Sequence, residues 1–166
     1  MVNKAIASRN SQGGEALTEQ RILTETPSMV TQAMIRRILE AAPRVIAIYA
    51  YGSQVRGGVH ADSDLDLALL MPRREVIQPD VMIQLAGDLE AMAGLPVEVS
   101  VLDPELQLVH CKEVVAHGVP MYVADADSLM VFEMQTLSSY ARFCEDRRPV
   151  AEAYCEEHAH GRRASE

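Results

Sequence analysis

The sequence lacks the features that mark membrane and exported proteins. It contains no run of about 18 apolar residues, so no segment is expected to span a membrane. The N-terminus has no hydrophobic signal core, which favours a cytoplasmic protein. Apolar residues nevertheless make up 48% of the 166-residue chain, which is enough for one globular domain with a substantial core.

Cysteine and positive charge are also scarce. Cys111, Cys144 and Cys155 are widely spaced without a Cys-x-x-Cys pair, which predicts reduced, at least partly buried thiols rather than a structural zinc site. The 15 lysine and arginine residues are outnumbered by 24 aspartate and glutamate residues, which gives a net charge of -9. Because such a surface repels a phosphate backbone, we expect no direct nucleic-acid binding. The charge would suit a basic protein partner.

The most informative stretch combines a turn with two acidic residues. An apolar strand ends in Gly52-Ser53, ten residues follow, and Asp64 and Asp66 then stand two apart in another apolar run. Gly52 allows a sharp turn and close approach to a ligand. Ser53 adds a hydroxyl where a short helix can begin, and the free N–H groups of a helix start attract anions. The turn therefore predicts phosphate binding.

The two aspartates predict a metal site. Side chains alternate along a strand, so Asp64 and Asp66 point to one face while Leu65 and Leu67 point to the buried face. Neighbouring carboxylates repel each other unless a cation lies between them. Magnesium fits because it takes oxygen ligands and completes its shell with water and substrate phosphates. A nucleoside triphosphate between the turn and metal ions is indicated.

Each part of this pattern also has a purely structural interpretation. Gly-Ser alone is an ordinary turn, and Ser-Asp-x-Asp alone is often a helix cap or a solvated surface. The functional interpretation is favoured because acidic residues alternating with leucine disfavour a strand, so a local rule is broken where a site is expected.

The rest of the chain predicts a small α/β (α+β) domain. Residues 1–27 are polar and predict a loosely structured leader, and residues 28–166 predict the folded domain. Ser28 is expected to cap a helix that ends at Pro43, and a buried central strand is expected over 45–50. The later elements are predicted as a helix over 81–92, a strand over 95–102, a helix over 105–116 capped by Asp103, an edge strand over 119–123 containing Pro120, and a long helix from Asp125 or Asp127 to about Cys144.

Two features of these later elements bear on function. Glu98 is the one charged residue of its strand and is expected to face Asp64 and Asp66, the alternative being an exposed glutamate on an edge strand. The long helix carries an apolar stripe that is expected to pack mainly against the sheet, although such a helix can also dock a partner. The stripe consists of Met130, Met134, Leu137, Ala141 and Cys144.

Together these residues resemble a known family. The motif is made of Gly52, Ser53, Arg56, Gly57, Ser63, Asp64 and Asp66. Its spacing is similar to that of the minimal nucleotidyltransferase (MNT) proteins of the DNA polymerase beta superfamily, and more narrowly to MNT antitoxins paired with HEPN-domain toxins. The likeness extends in coarse order from about residue 28 to the C-terminal helix and leaves residues 1–27 uncovered.

The resemblance implies a nucleotidyltransferase fold, with a small mixed sheet of about four strands flanked by helices and with C-terminal helices. It implies that Asp64, Asp66 and Glu98 are the catalytic residues and the ligands of Mg²⁺. Glu98 departs from the aspartate that is common in the family, but the longer carboxylate can still bind metal or accept a proton. It also implies that Gly52, Ser53 and Arg56 bind the nucleotide. For Arg56, the interpretation as an exposed loop residue without a role in binding is nearly as well supported.

The implied activity is that of an antitoxin that transfers AMP from ATP to a tyrosine of a cognate HEPN ribonuclease toxin and forms a hetero-oligomer with it. One alternative is a non-catalytic antitoxin that acts by direct binding. A less favoured alternative is transfer to a small molecule of the aminoglycoside type, because the chain has little room for an acceptor-binding domain.

Overall fold

A computed structural model describes the backbone of residues 21–22, 30–52 and 64–161, and the side chains of residues 30–52 and 64–154. In chain order its elements are β1 (Arg21–Ile22), α1 (Gln32–Ala41), β2 (Ala47–Tyr51), β3 (Leu65–Leu70), α2 (Pro79–Ala93), β4 (Val97–Val101), α3 (Leu108–His117), β5 (Val119–Val123) and α4 (Ala126–Gly161).

The strands form one mixed sheet in the order β1-β5-β2-β3-β4. β2 is antiparallel to both β3 and β5, and β3 is parallel to β4. The parallel pair requires a crossover connection, which α2 supplies. Four strands of five or six residues plus the two-residue β1 confirm the predicted fold class, an α/β arrangement with a small mixed sheet flanked by helices.

Helices cover both faces of the sheet, which explains why β3 is apolar at almost every position. On one face, Ile48 and Leu67 belong to a buried cluster with Ile38 of α1 and Leu85 of α2. The opposite face carries a second cluster, whose buried members are Ala47, Tyr49, Ala68, Leu70, Leu102, Cys111, Val114 and Leu129. This second face also carries the candidate site residues described below.

Two predicted helix starts are wrong by three residues. α1 begins at Gln32, and its cap is Thr31, whose hydroxyl accepts a hydrogen bond from the Met34 N–H at 3.3 Å. Ser28, the predicted cap, lies outside the described residues. α3 begins at Leu108 because the Asp103 carboxylate instead accepts the Glu105 N–H at 2.9 Å and stabilises a preceding turn.

β5 is not an edge strand as predicted, because it lies between β1 and β2. Pro120 pairs with Tyr49 just where the β2–β5 register shifts. On the other side, β1 pairs only with Tyr122 and Val123. A proline cannot donate a ladder hydrogen bond and is tolerated at such an irregularity. β1 itself lies in the segment predicted to be a leader, of which the structure describes these two residues alone.

α4 is longer than predicted and presents a different face to the sheet. It has 36 residues and continues through Pro149. The predicted core stripe is wrong, since Met130, Met134 and Leu137 are 54%, 61% and 46% exposed. The buried face is offset by about one residue and includes Leu129 and Thr136.

A hydrogen bond between side chains fixes this face. The Tyr49 hydroxyl donates to Glu133 Oε1 at 2.6 Å and links β2 to α4. Burial, reinforced by Glu133, raises the pKa of Tyr49 far above its ordinary value, so the phenol stays neutral and can donate. No helix in the described part of the chain is long and apolar enough to cross a membrane.

The thiols also differ in part from the prediction. Cys111 is a buried free thiol, as predicted, whereas Cys144 is free but exposed on α4. The side chain of Cys155 lies outside the described residues.

Candidate functional site

A row of three polar side chains, two of them predicted site residues, runs across the sheet at one end. Tyr51 of β2 pairs with Asp66 of β3, and Asp66 pairs with Glu98 of β4. Residues directly opposite each other on neighbouring strands point to the same face. The structure therefore brings Asp66 and Glu98 together as neighbours, while Asp64 immediately precedes β3.

Burial and like charge act together on Asp66. Its pKa is raised above the ordinary value first by burial and then by the negative charges of Glu98 and Asp64, while His110 acts in the opposite direction. Asp64 and Glu98 are exposed, whereas Asp66 is half-buried. A cation at this row would offset the repulsion that a buried, crowded carboxylate experiences.

The donor chemistry of the row fits magnesium. Carboxylate oxygens are its preferred protein ligands, and one or two carboxylates suffice because water and substrate phosphates complete its shell. Within residues 30–52 and 64–154, no three histidine, cysteine, aspartate or glutamate side chains are grouped so as to hold a metal. By their donor chemistry, these carboxylates fit an ion that takes its remaining ligands from water and substrate phosphates.

Gly52 brings the backbone turn against this row. Its φ angle is +82°, in the left-handed region that favours glycine. A β-carbon at this position would overlap Asp66 Oδ2 and lie 3.0 Å from Asp66 Cγ. Both the conformation and the available space therefore require glycine where the predicted phosphate turn meets the predicted metal site.

Two predicted nucleotide-binding residues, Ser53 and Arg56, lie outside the described residues, and their roles stay predictions. The same holds for Gly57 and Ser63 of the motif.

Three polar residues at this site, Tyr51 of the row and two neighbours of it, were given no role by the sequence. Ser100 Oγ lies 3.2 Å from His110 Nε2 and 3.5 Å from the Tyr51 hydroxyl. The rings of Tyr51 and His110 pack edge to face, with centroids 5.3 Å apart. In the sequence, Tyr51 could have been found from its position directly before Gly52, and Ser100 from the strand face that it shares with Glu98. No sequence feature indicated His110, because its place depends on how α3 packs on the sheet.

Tyr51 is held as a neutral phenol. Burial is the main cause that raises its pKa, the hydrogen bond with Ser100 acts against it, and the charges of Asp66 and Glu98 raise it further. A neutral phenol keeps its hydroxyl proton available for donation.

Comparison with known proteins identifies the family of this chain. Residues 33–127 match the family model described as polymerase beta, nucleotidyltransferase. The matched region covers more than half of the chain and contains Gly52, Asp64, Asp66 and Glu98. The chain therefore belongs to the polymerase beta nucleotidyltransferase family.

Solved toxin–antitoxin structures share the fold. The chain is similar to one from a toxin–antitoxin complex with AMP-PNP, at 23% identity and a TM-score of 0.64, over 76% of this chain and 99% of that chain. It is also similar to a chain from a tri-AMPylated Shewanella oneidensis HEPN toxin in complex with an MNT antitoxin, at 20% identity and a TM-score of 0.59, over 74% of this chain and 93% of that chain. A chain of the MntA–HepT toxin–antitoxin complex gives the same identity and TM-score, over 74% of this chain and 94% of that chain.

Comparison with curated protein sequences found no match.

Proposed function

We propose that this chain is a cytoplasmic antitoxin that transfers AMP from ATP to a tyrosine of a cognate HEPN ribonuclease toxin and forms a hetero-oligomer with it. The observation that carries the proposal is the Gly52 turn placed against Asp66, with Glu98 on the neighbouring strand. Membership of the nucleotidyltransferase family supports the reaction class. The similar structures of HEPN toxin complexes support the kind of partner.

In this proposal, Asp64, Asp66 and Glu98 hold Mg²⁺ together with the triphosphate. The bound metal supplies neutralisation of negative charge at the α-phosphate and on the departing pyrophosphate. Gly52 and Ser53 bind the β- and γ-phosphates through the turn, and Arg56 adds a phosphate contact. The tyrosine oxygen forms a bond to the α-phosphorus as the bond to the β-phosphate breaks.

Glu98 is suited to receive the proton of the attacking hydroxyl. It belongs to β4, the last strand at its end of the sheet, and its side chain is exposed. A tyrosine presented by another protein can therefore approach it from solvent. A general base must lie within hydrogen-bond reach of the proton that it removes.

Labelled ATP tests the proposed transfer. The candidate toxin is incubated with this protein, Mg²⁺ and ATP labelled at either the α- or the γ-phosphate. Incorporation of the α-label alone is expected, and it should be lost in an Asp64→Ala, Asp66→Ala double variant. Incorporation of the γ-label would instead indicate phosphoryl transfer and contradict the proposal.

A non-catalytic antitoxin is the second candidate. The glutamate at position 98, where the resembled family commonly has aspartate, is the feature that favours it. In this case the double variant should still neutralise the toxin fully in growing cells. A double variant that binds the toxin but fails to neutralise it would exclude masking by contact alone.

A further inference from the structure

Three side chains from different elements form a polar cluster beside the carboxylate row, namely Tyr51, Ser100 and His110. The Ser100 hydroxyl donates to the Leu67 carbonyl at 3.4 Å. A serine oxygen can also accept two hydrogen bonds. The Ser100 oxygen also lies 3.2 Å from His110 Nε2 and 3.5 Å from the Tyr51 hydroxyl, within reach of a hydrogen bond with each. Ser100 thereby connects α3 with two strands of the site.

The side chain of Tyr51 must extend over a neighbouring strand to take part in this cluster. β3 lies between β2, which carries Tyr51, and β4, which carries Ser100. The position of β3 opposite Ser100 is Ala68, which is fully buried and small enough to leave space for an aromatic ring. The edge-to-face contact with His110, at an interplanar angle of 74°, then limits how that ring can tilt.

Restraining Tyr51 also restrains the turn. Tyr51 is bonded directly to Gly52, whose backbone lies against the Asp66 carboxylate. A continuous set of contacts therefore runs from His110 through Tyr51 to Gly52 and Asp66. Small misplacements of groups that bind a reacting substrate can reduce catalysis strongly. A restraint on Tyr51 would therefore help to keep the Gly52 turn in its binding geometry.

We propose that His110 is a positioning residue for the nucleotide site. It holds Tyr51 through Ser100 and through ring contact, and thereby fixes the Gly52 turn relative to Asp66. The inference rests on the proposed function only in assigning a magnesium-bound nucleotide to this turn. His110 itself is assigned no contact with the metal or with the nucleotide.

The test measures binding of Mg²⁺–AMP-PNP to the full chain by titration calorimetry. His110→Ala should weaken binding about tenfold, because the turn is no longer held in its binding geometry. His110→Gln should restore binding to within about threefold of wild type, since its side-chain amide, which can donate or accept, places a hydrogen-bonding group near the position of Nε2. His110→Asn places its amide nearer to Nδ1 and should behave like His110→Ala.

His117→Ala is the matched control. His117 lies on the same helix, but its side chain is 48% exposed and pairs with Glu113 at 3.6 Å. This variant should bind as wild type does. Equal affinities for the Gln and Asn variants of His110, or wild-type affinity for His110→Ala, would overturn the inference. The Gln–Asn comparison still decides the matter if the alanine variant does not fold.

The inference and the proposed function fail in different ways. A wild-type protein that binds Mg²⁺–AMP-PNP but transfers no AMP would contradict the proposed transfer, while the ranking of the His110 variants would still decide the positioning role. A wild-type protein that binds no Mg²⁺–AMP-PNP would overturn both.

Discussion

At the scale of single residues, the site depends on how closely Gly52 and Asp66 approach each other. Gly52 occupies a conformation that other residues adopt only at a cost, and it does so against a half-buried carboxylate. The pKa of Asp66 in turn is raised first by burial and then by the charges of two neighbouring carboxylates. Both features oppose folding stability, as is common where a ligand-binding site is built.

Gly52→Ala should therefore lower the free energy of unfolding by more than the cost of the left-handed backbone conformation alone. Gly94 is a matched control, because its φ is +72° and no atom lies within 4 Å of where its β-carbon would be. Gly94→Ala should lower the free energy of unfolding by about 1–2 kcal/mol, the cost of the left-handed conformation. Gly52→Ala should lower it further because of the overlap with Asp66, and denaturant unfolding of the two variants checks this. Equal losses would contradict the close approach.

Asp66→Asn should stabilise the metal-free protein at neutral pH. A carboxyl whose pKa is raised on folding adds stability that is fully present below the unfolded-state pKa and is lost as pH rises through the folded-state pKa. The amide removes this cost of ionisation, so Tm should exceed that of wild type at pH 7 and the difference should disappear near pH 3. Thermal melts across this range, without divalent cations, measure it.

Glu40→Gln serves as the control for Asp66→Asn. It removes one negative charge from an exposed position on α1, well away from the described site. Its Tm should stay near that of wild type at both pH values. A rise equal to that of Asp66→Asn would indicate a general effect of net charge instead of local crowding.

At the scale of elements, α4 shows where prediction from sequence fails. Leu129 and Phe132 lie on one side of this helix, and Met130 and Met134 lie on another, so apolar spacing alone does not identify the buried face. The Tyr49–Glu133 hydrogen bond and the burial of Leu129 decide it, and both depend on tertiary packing. The expectation that α4 docks a partner stays a prediction.

Two leucine substitutions test this orientation of α4. Leu129 is 9% exposed and packs on the sheet, whereas Leu137 is 46% exposed. Leu129→Ala should lower the free energy of unfolding by about 2–5 kcal/mol because it leaves a cavity. Leu137→Ala should change it by about 0.5 kcal/mol or less. Chemical denaturation of both variants measures the contrast. A larger loss for Leu137→Ala than for Leu129→Ala would instead support the buried face predicted from the sequence.

The strands were more predictable than the helices for a physical reason. Alternation along a strand has a period of two, so one apolar face fixes the direction of every side chain, including Asp66 and Glu98. The helix caps were less certain, because Ser28 and Thr31 have the same capping chemistry three residues apart. His110 could not be assigned at all, since its contacts with Tyr51 and Ser100 arise only when α3 packs on the sheet.

At the scale of the whole molecule, the candidate site and the start of α4 lie at opposite ends of the sheet. β2 ends at Tyr51 beside the site, whereas the Ala124 N–H, just before α4, donates to the carbonyl of Ile46, just before β2. Glu133 then meets Tyr49, so α4 runs back toward the end that carries the site. Among the described residues of this end, Glu98 is exposed, which is consistent with the proposed approach of a protein acceptor.

Intact-mass spectrometry of the candidate toxin tests the central claim most directly. The toxin is incubated with ATP, Mg²⁺ and either wild-type protein or Asp66→Asn, a variant expected to be the more stable of the two at neutral pH. The wild type should raise the toxin mass by whole units of about 329 Da, one for each AMP, and Asp66→Asn should leave it unchanged because it removes a proposed metal ligand. An unchanged mass with wild-type protein, or equal increases with both proteins, would contradict a nucleotidyl-transfer site at Asp66.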